Sequence, residues 1–302
     1  MICIKHAMNR RHFLLAASSC ALPAFGGEHL PQSVTFIGEN KFQSIRARAH
    51  HDRWHALPIG ARVIACAQQI LGTPYAGFTL EIDDHIESPS VNFNGLDCWT
   101  FFETALCLAR LFRKPVITPY ENAQPSDLLR EIERTRYRGG QCGGNYLDRI
   151  HYLEEWFRDN HARGHVRDIT RSLAPTVPLT GRRIDEMTVL WKSYRYLAHN
   201  PGLRSGMARI EAELQTHPFE YIPKASVASI EPKLQNGDII GIVTHKPHVY
   251  CSHVGLAIRT QDGITRFMHA SATKKRVIID KSVSGYLADF KSHAGIIVAR
   301  PL

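Results

Sequence analysis

The stretch around Cys98 combines residue types that can carry out nucleophilic chemistry. Asp97 precedes the cysteine. The apolar residues that follow have the spacing of a helix packed on a core: Phe102, Ala105, Leu106, Ala109 and Phe112. The pattern predicts a helix that begins at Cys98, with Asp97 as its N-cap. A thiol there lies at the positive end of the helix dipole, where the thiolate is favoured, so Cys98 is a candidate nucleophile. The alternative is a buried core cysteine.

A nucleophilic thiol needs a base, and two histidines on predicted strands are candidates. Alternation along residues 252–258 places His253 on a face with small residues, and His269 occupies the matching face of residues 265–271. In a short hairpin the two can be neighbours. A helix bearing Cys98 against that face would unite a nucleophile, a base and an orienting residue, as in acyl-transfer enzymes. A single histidine in a strand is more often structural or at the surface, and that is the alternative for either one alone.

The elements that must position these residues fall into two groups. Helical patterns come first and cover residues 61–71, 126–137, 148–159, 185–197 and 203–216, while residues 27–50 show only weak strand character. Strand patterns with short turns follow, over residues 238–243, 252–258, 265–271, 276–280 and 295–300. Helices followed by closely spaced strands predict an α+β fold, with helices on a mostly antiparallel sheet. Without an evident linker, residues 27–302 are expected to form a single domain.

The first 26 residues have the pattern of an export signal. Arg10 and Arg11 form a twin-arginine pair, followed by an apolar run that is too short to span a bilayer. The pattern predicts removal of residues 1–26 and export of the remainder to the periplasm. Because His12 departs from the twin-arginine pattern, ordinary secretion is an alternative; lipid attachment at Cys20 is another, although the residues before it fit a lipoprotein signal poorly.

Composition narrows the classes of partner. The chain of 302 residues is 44% hydrophobic and 22% charged, as in globular proteins, and no membrane span is expected outside the signal. The net charge of +9 falls to +6 without the signal, which contributes three basic and no acidic residues. Basic residues are scattered rather than interleaved with aromatic residues, so nucleic acid is not an expected partner.

Five of the seven cysteines lie outside the signal, an odd number in an oxidising compartment. Cys66 and Cys107 lie on helical stripes and are predicted to be core thiols or one disulfide. Cys251 shares the face of His253 by alternation and is an alternative nucleophile, but it lacks a helix terminus. No C-x-x-C pair occurs, so a zinc site is not predicted.

A series of motifs between about residue 60 and residue 300 is shared with one known family. In chain order the motifs are Leu71-Gly72-Thr73-Pro74-Tyr75, Thr79-Leu80-Glu81, Leu96-Asp97-Cys98 with Thr100-Phe101 and Glu103-Thr104, Tyr137-Arg138-Gly139, Arg149-Ile150-His151-Tyr152, Tyr221-Ile222-Pro223-Lys224, Gly237-Asp238-Ile239-Ile240, Ser252-His253-Val254-Gly255 and His269-Ala270-Ser271. With them the chain resembles the NlpC/p60-type cysteine hydrolases of bacterial cell walls. The closer resemblance is to the branch described as N-acetylmuramoyl-L-alanine amidase-like.

The resemblance implies a papain-like fold that works without a cofactor or metal. Cys98 would attack an amide carbonyl, His253 would take the thiol proton or hold it in an ion pair, and His269 would orient His253. Tyr75 matches a tyrosine that binds the substrate carbonyl or the oxyanion together with the Cys98 N–H. Further candidates for substrate binding are Arg149, His151, Tyr152, Ser252 and Ser271. Helix packing is the alternative for the first three, and shaping of the pocket for the two serines.

The expected activity is cleavage of the amide between N-acetylmuramic acid and L-Ala in peptidoglycan or muropeptide fragments, through an acyl-enzyme. One alternative is an endopeptidase that cuts the stem peptide between D-Glu and the diamino acid. Another is a non-catalytic peptidoglycan-binding protein. Three residues depart from the family pattern: Trp99 stands where a small residue is usual, Phe102 where a valine is common, and Asp148 where a serine is usual.

Overall fold

The computed structural model of the protein describes residues 29–115 and 122–302, so the predicted export signal lies outside the described residues. The helices are α1 Gln32–Thr35, α2 Glu39–His51, α3 Ile59–Gln69, α4 Cys98–Leu111, α5 Pro125–Arg136, α6 Leu153–Ala162, α7 Thr170–Leu173, α8 Glu186–Val189, α9 Arg195–His199, α10 Arg204–Gln215, α11 Lys224–Ile230 and α12 Val283–Ala288. The strands are β1 Phe36–Ile37, β2 Val91–Asn92, β3 Val166–Asp168, β4 Val177–Pro178, β5 Glu220–Pro223, β6 Ile239–Thr244, β7 Cys251–Arg259, β8 Thr265–Ser271, β9 Arg276–Ser282 and β10 His293–Pro301.

One eight-stranded sheet organises the described residues. Its strand order is β4-β5-β10-β6-β7-β8-β9, and β3 pairs with β10 next to β5. Every pairing in this sheet is antiparallel, whereas β1 and β2 form a separate parallel pair. The prediction of helices on a mostly antiparallel sheet is confirmed, and the five predicted strands are present with ends shifted by up to two residues.

Helices cover both faces of the sheet because alternate residues of its central strands are apolar on both sides. On one face α3 and α4 pack against side chains such as Val254, Leu256 and Met268. On the other face α11 and α12 pack against Ala257 and Phe267. Within the described residues, every helix is too short or too polar to cross a bilayer.

Several helix predictions need correction. Residues 185–197 form α8 and α9 with a 3-10 turn between them, because the chain turns at Leu190 instead of continuing one helix. Residues 148–152 precede α6 rather than belonging to it. The helix predicted over residues 126–137 begins one residue earlier, at Pro125, with Gln124 as its N-cap. Helix α2 was not predicted, since its charged and polar residues obscure an apolar stripe of only three buried side chains, Phe42, Ile45 and Ala49.

Buried ion pairs join α4 to α5. The Arg136 guanidinium lies 2.7 Å from a Glu103 carboxylate oxygen, and both side chains are almost completely buried. In the same interface between α4 and α5, Arg110 donates to Glu131 at 2.9 Å.

The five cysteines of the described ranges are free thiols, and Cys107 contacts the Thr135 hydroxyl at 3.3 Å. Cys66 and Cys107 are therefore core thiols and not a disulfide in this structure.

Candidate active site

Helix α4 begins at Cys98 because Asp97 caps it. The Oδ1 atom of Asp97 accepts from the Thr100 N–H at 2.7 Å, and the Thr100 hydroxyl accepts from the Asp97 N–H at 3.0 Å. The Thr79 hydroxyl donates to the other carboxylate oxygen of Asp97 at 2.8 Å. The predicted cap is confirmed, and it ties the loop that carries Thr79 to the start of the helix.

The environment of Cys98 does not favour a resting thiolate. Burial, and then the Asp97 carboxylate, raises the pKa of the Cys98 thiol to about 12. The backbone N–H groups of Val254, Trp99 and Cys98 act in the opposite direction. Because the N–H groups at the helix start do not offset burial, the prediction of a thiolate favoured by the helix dipole is wrong, and the resting group is a thiol.

The two predicted histidines are joined side by side. His253 Nε2 lies 2.7 Å from His269 Nδ1, with the rings perpendicular. Burial is the first cause that lowers the pKa of both side chains, with the neighbouring His269 and His293 adding to it for His253. The pKa of His253 lies well below 6.5, so its imidazole is neutral at neutral pH.

Helix α4 does not lie on the histidine face, contrary to the prediction. The apolar side chains of α4 pack with Val254, Leu256 and Met268, which point to the opposite face of the sheet from His253 and His269. The space beside Gly255 is filled instead by the ring of Phe267, which a Cβ at that position would approach to 2.7 Å. The face of the sheet that carries the two histidines is therefore covered by the Phe267 ring of β8 and by α12.

Cys98 meets the histidine-bearing strands near one end of the sheet. The pairing of β7 with β8 ends at Leu256 and Met268, before the segments that carry the histidines. The Val254 N–H, beyond this end of the ladder, faces the Cys98 sulfur. Within the described residues no hydrogen bond joins Cys98 Sγ to His253.

Tyr75 is held next to the start of α4 by the backbone. It forms a parallel bridge with Leu96, and its N–H donates to the Lys275 carbonyl at 2.9 Å. Burial, then the proximity of Cys98 and Asp97, raises the pKa of the Tyr75 phenol. The hydroxyl of Tyr75 therefore stays protonated near the sulfur and is able to donate a hydrogen bond.

Three residues near the histidines were missed from the sequence. Asp280 Oδ2 lies 3.3 Å from His269 Nε2. The ring of Tyr286 stacks between those of His253 and His293, with centroid distances of 5.9 and 5.4 Å. An acidic residue at the end of a predicted strand gave no signal, and the short helix α12 that carries Tyr286 was not predicted.

Arg149, His151 and Tyr152 serve the interior of the fold, and their assignment as substrate ligands is replaced by a structural one. Arg149 is 2% exposed, and its guanidinium donates to the Leu80 carbonyl at 2.7 Å. The His151 Nε2 atom lies 3.0 Å from the Tyr146 carbonyl oxygen, and Tyr152 donates to Glu211 at 2.6 Å. The Arg149 guanidinium also lies 3.7 Å from the carboxylates of Glu81 and Glu87, while Tyr152 packs in an apolar cluster with the helices between β4 and β5.

Ser252, Ser271 and Cys251 have distinct surroundings. Ser271 is buried, and its hydroxyl accepts from the Lys274 N–H at 3.1 Å in the turn before β9. Ser252 is exposed at a register shift in β7, which pairs Cys251 with Val243. Cys251 therefore packs on the α4 face, away from the His253 side, and burial together with Glu154 raises its pKa well above 9. The predicted sharing of one face by Cys251 and His253 is wrong.

The bulky Trp99 packs along α4, its ring 5.9 Å from that of Phe102. Within residues 29–115 and 122–302, no group of three His, Cys, Asp or Glu side chains is arranged to hold a metal ion.

Comparisons with known proteins place this arrangement in a family. The family described as AmiA-like, N-acetylmuramoyl-L-alanine amidase-like, matches residues 65–296. An N-acetylmuramoyl-L-alanine amidase from Bacteroides uniformis is 30% identical, with a TM-score of 0.71, over 81% of this chain and 99% of that chain. A Bacteroides fragilis structure named only provisionally, as a xylanase, is 31% identical over 78% of this chain and 99% of that chain, with a TM-score of 0.69.

A Legionella pneumophila protein shares the fold at 20% identity, with a TM-score of 0.65, over 88% of this chain and 96% of that chain. A search of curated proteins finds no significant match. Since the family match spans most of the chain, the protein belongs to the AmiA-like, N-acetylmuramoyl-L-alanine amidase-like family.

Proposed function

We propose that the protein is an exported cysteine hydrolase of the NlpC/p60 type that cleaves the amide between N-acetylmuramic acid and L-Ala in peptidoglycan fragments. The observation that supports it most directly is the approach of the capped start of α4, with Cys98, to the strands that carry the 2.7 Å His253–His269 pair. The family supplies the class of substrate. The twin-arginine pattern of residues 1–26 supports export to the periplasm.

The first half of the reaction forms an acyl-enzyme. Sulfur of Cys98 attacks the lactyl carbonyl carbon while His253 accepts the thiol proton. The negative charge that develops on the carbonyl oxygen is stabilised by the Cys98 N–H and the Tyr75 hydroxyl. When the C–N bond breaks, its electron pair stays on the amine of L-Ala, and His253 returns the proton to that nitrogen. The peptide leaves, and the muramyl lactyl group remains as a thioester on Cys98.

Water completes the cycle. His253 takes a proton from water, whose oxygen attacks the thioester carbonyl, and the thiolate of Cys98 leaves and is reprotonated by the imidazolium.

Because Cys98 and His253 are both neutral at rest, the proton transfer accompanies attack instead of preceding it. Because the pKa of His253 lies well below 6.5, activity should persist at pH 6.5 and fall only in more acidic solution, where His253 becomes protonated; the initial rate as a function of pH measures this limb.

The test uses the full chain and a disaccharide tripeptide from peptidoglycan as substrate. Mass spectrometry should detect a free peptide that begins with L-Ala, together with the disaccharide that carries a lactyl carboxylate. Cys98→Ala should abolish the product, while Cys251→Ala, a matched removal of a second thiol on β7, the strand that carries His253, should retain it.

Other outcomes identify the alternatives. Cleavage after D-Glu would indicate a stem-peptide endopeptidase, and sedimentation with peptidoglycan without any product would indicate a binding protein. An unchanged rate in Cys98→Ala would refute the cysteine mechanism.

A further inference from the structure

The hydrogen bonds behind His253 determine where each imidazole carries its proton. Asp280 contacts His269 Nε2 through Oδ2 at 3.3 Å, and its Oδ1 accepts from the Lys281 N–H at 2.8 Å. A carboxylate only accepts, so the proton of His269 lies on Nε2. In the neutral ring Nδ1 is then a bare acceptor. The 2.7 Å contact therefore requires His253 Nε2 to be the donor, which leaves His253 Nδ1 without a proton.

We propose that Asp280 is a positioning residue that fixes the tautomers of both histidines and thereby keeps Nδ1 of His253 free to accept the thiol proton. The inference rests on the proposed function for its catalytic consequence, while the tautomers themselves are measurable without activity. It extends the Cys–His–His set by a fourth group that acts through His269.

The sheet supplies the placement of Asp280. In the ladder between β8 and β9, Met268 pairs with Ile279 and the next registered pair is Arg266 with Ser282. Asp280 and Lys281 therefore both lie opposite the single residue Phe267, and this two-against-one pairing is a β-bulge in β9. Ile278 pairs directly with His269, so alternation along β9 places Asp280 on the histidine face, where its side chain remains 23% exposed while that of His269 is 2% exposed.

The Asp280 carboxylate acts strongly on His269 because the rest of the His269 surroundings are largely apolar. Its ring stacks on Phe267 at 4.8 Å and meets Tyr286 at 5.0 Å, so two of its sides are apolar. Burial lowers the pKa of His269, and the hydrogen bond and charge of Asp280 oppose that effect. Asn at position 280 can donate through its amide group, and that donor would favour the opposite tautomers, with His253 Nδ1 protonated and unable to act as a base.

The test measures catalysis and tautomers in Asp280→Asn. We expect kcat to fall by about 100-fold or more, the direction found when the aspartate of a hydrolase triad is replaced by asparagine, with KM within about twofold. In ¹⁵N-labelled Cys98→Ala protein, the His253 signals should show protonated Nε2 and bare Nδ1. Adding Asp280→Asn should shift the proton toward Nδ1. The signals are assigned with His253→Gln.

Two further variants control the measurement. Asp289→Asn removes a nearby carboxylate that pairs with Lys281 at 2.8 Å and does not contact His269, so it should change neither readout. Asp280→Glu keeps the acceptor and should recover part of kcat and the original tautomers. If Asp280→Asn does not fold, Asp280→Glu provides the test of the tautomers in its place.

Unchanged tautomers in Asp280→Asn would overturn the inference, whether kcat falls or not. A kcat of Asp280→Asn equal to that of the wild type would also overturn the inference. Neither result touches the proposed function, which instead fails if Cys98→Ala remains active.

Discussion

Cys98 shows how opposing local effects set the reactivity of one side chain. Asp97 stabilises the start of α4 as its cap, but its charge also raises the pKa of the neighbouring thiol. Burial acts in the same direction and exceeds the effect of the three N–H groups that face the sulfur. Asp97 therefore stabilises the helix and at the same time disfavours the thiolate, so the proposed mechanism requires a base to take the thiol proton.

The two effects of Asp97 are separable in Asp97→Asn. Asparagine is as good an N-cap as aspartate, so α4 should keep its start, while the charge beside Cys98 is removed. The thiol pKa should fall, and at pH 8, far below that pKa, the thiolate fraction rises tenfold for each unit of decrease. The rate of alkylation by iodoacetamide, followed at Cys98 by mass spectrometry, should rise several-fold. Asp262→Asn, at an exposed turn, should leave it unchanged, and a slower reaction in Asp97→Asn would contradict the argument.

At the scale of residues, the sequence identified the groups that recur at fixed places in motifs. Cys98, His253 and His269 were selected in this way, and the structure brings the two histidines into contact. Asp280 belongs to none of those motifs, and the register of β9 against β8 that brings it to His269 cannot be read from strand alternation alone. The burial of Arg149 could not be read from its motif, since nothing there distinguishes a buried guanidinium from a ligand for substrate.

At the scale of elements, the registers of the strands decide which side chains reach the site. The register shift at the start of β7 turns Cys251 away from His253, whereas the regular pairing of His269 with Ile278 places Asp280, two residues further along β9, on the histidine face. The strands themselves were predicted closely from alternating apolar residues. Their bulges and the side of the sheet taken by α4 depend on tertiary packing, which alternation does not encode.

The close packing of β7 on Phe267 is testable at Gly255. A methyl group there would lie 2.5 Å from the Met268 carbonyl oxygen and 2.7 Å from the Phe267 ring, so Gly255→Ala must displace one of them. We expect the free energy of unfolding to fall by about 1–3 kcal/mol. Activity at a temperature where the variant is folded should also fall, because the Phe267 ring contacts both histidine rings. Gly202→Ala, where no atom lies within 4 Å, is the matched control in urea unfolding. Equal stability of the two variants would show that the strand accommodates the methyl group.

At the scale of the molecule, the helices between β4 and β5 join the two sides of the candidate site. Their apolar side chains form a separate cluster with Tyr146, Tyr152 and Tyr250, the last lying just before β7. The Tyr196 N–H donates to Glu81, in the segment that follows Tyr75. This packing explains why the motif around Tyr152 is buried. The sequence did not predict it, because the contacts join segments far apart in the chain, such as Tyr196 and Glu81, which are 115 residues apart.

Glu211 on α10 is the point where these segments meet, and its replacement tests their role. Its Oε1 atom accepts from the Tyr152 hydroxyl at 2.6 Å, from the Met187 N–H at 2.9 Å and from the Thr188 N–H at 3.1 Å. Glu211→Ala leaves these donors without that acceptor, so the free energy of unfolding should fall by about 2–4 kcal/mol in urea titrations. Glu213→Ala, on the exposed side of the same helix, should cost less than about 0.5 kcal/mol.

Limited proteolysis shows which part of the fold loses stability in Glu211→Ala. If α8, α9 and α10, the helices between β4 and β5, are held mainly through Glu211, new cleavage in this variant should begin within residues 179–217, before any cut in the sheet. Loosening there should also raise KM before it lowers kcat, since Glu81 and Tyr250 lie beside the segments that carry Tyr75 and His253, while the histidine pair itself is untouched. Cleavage that begins in the sheet would show instead that Glu211 supports the whole fold rather than the attachment of one part of it.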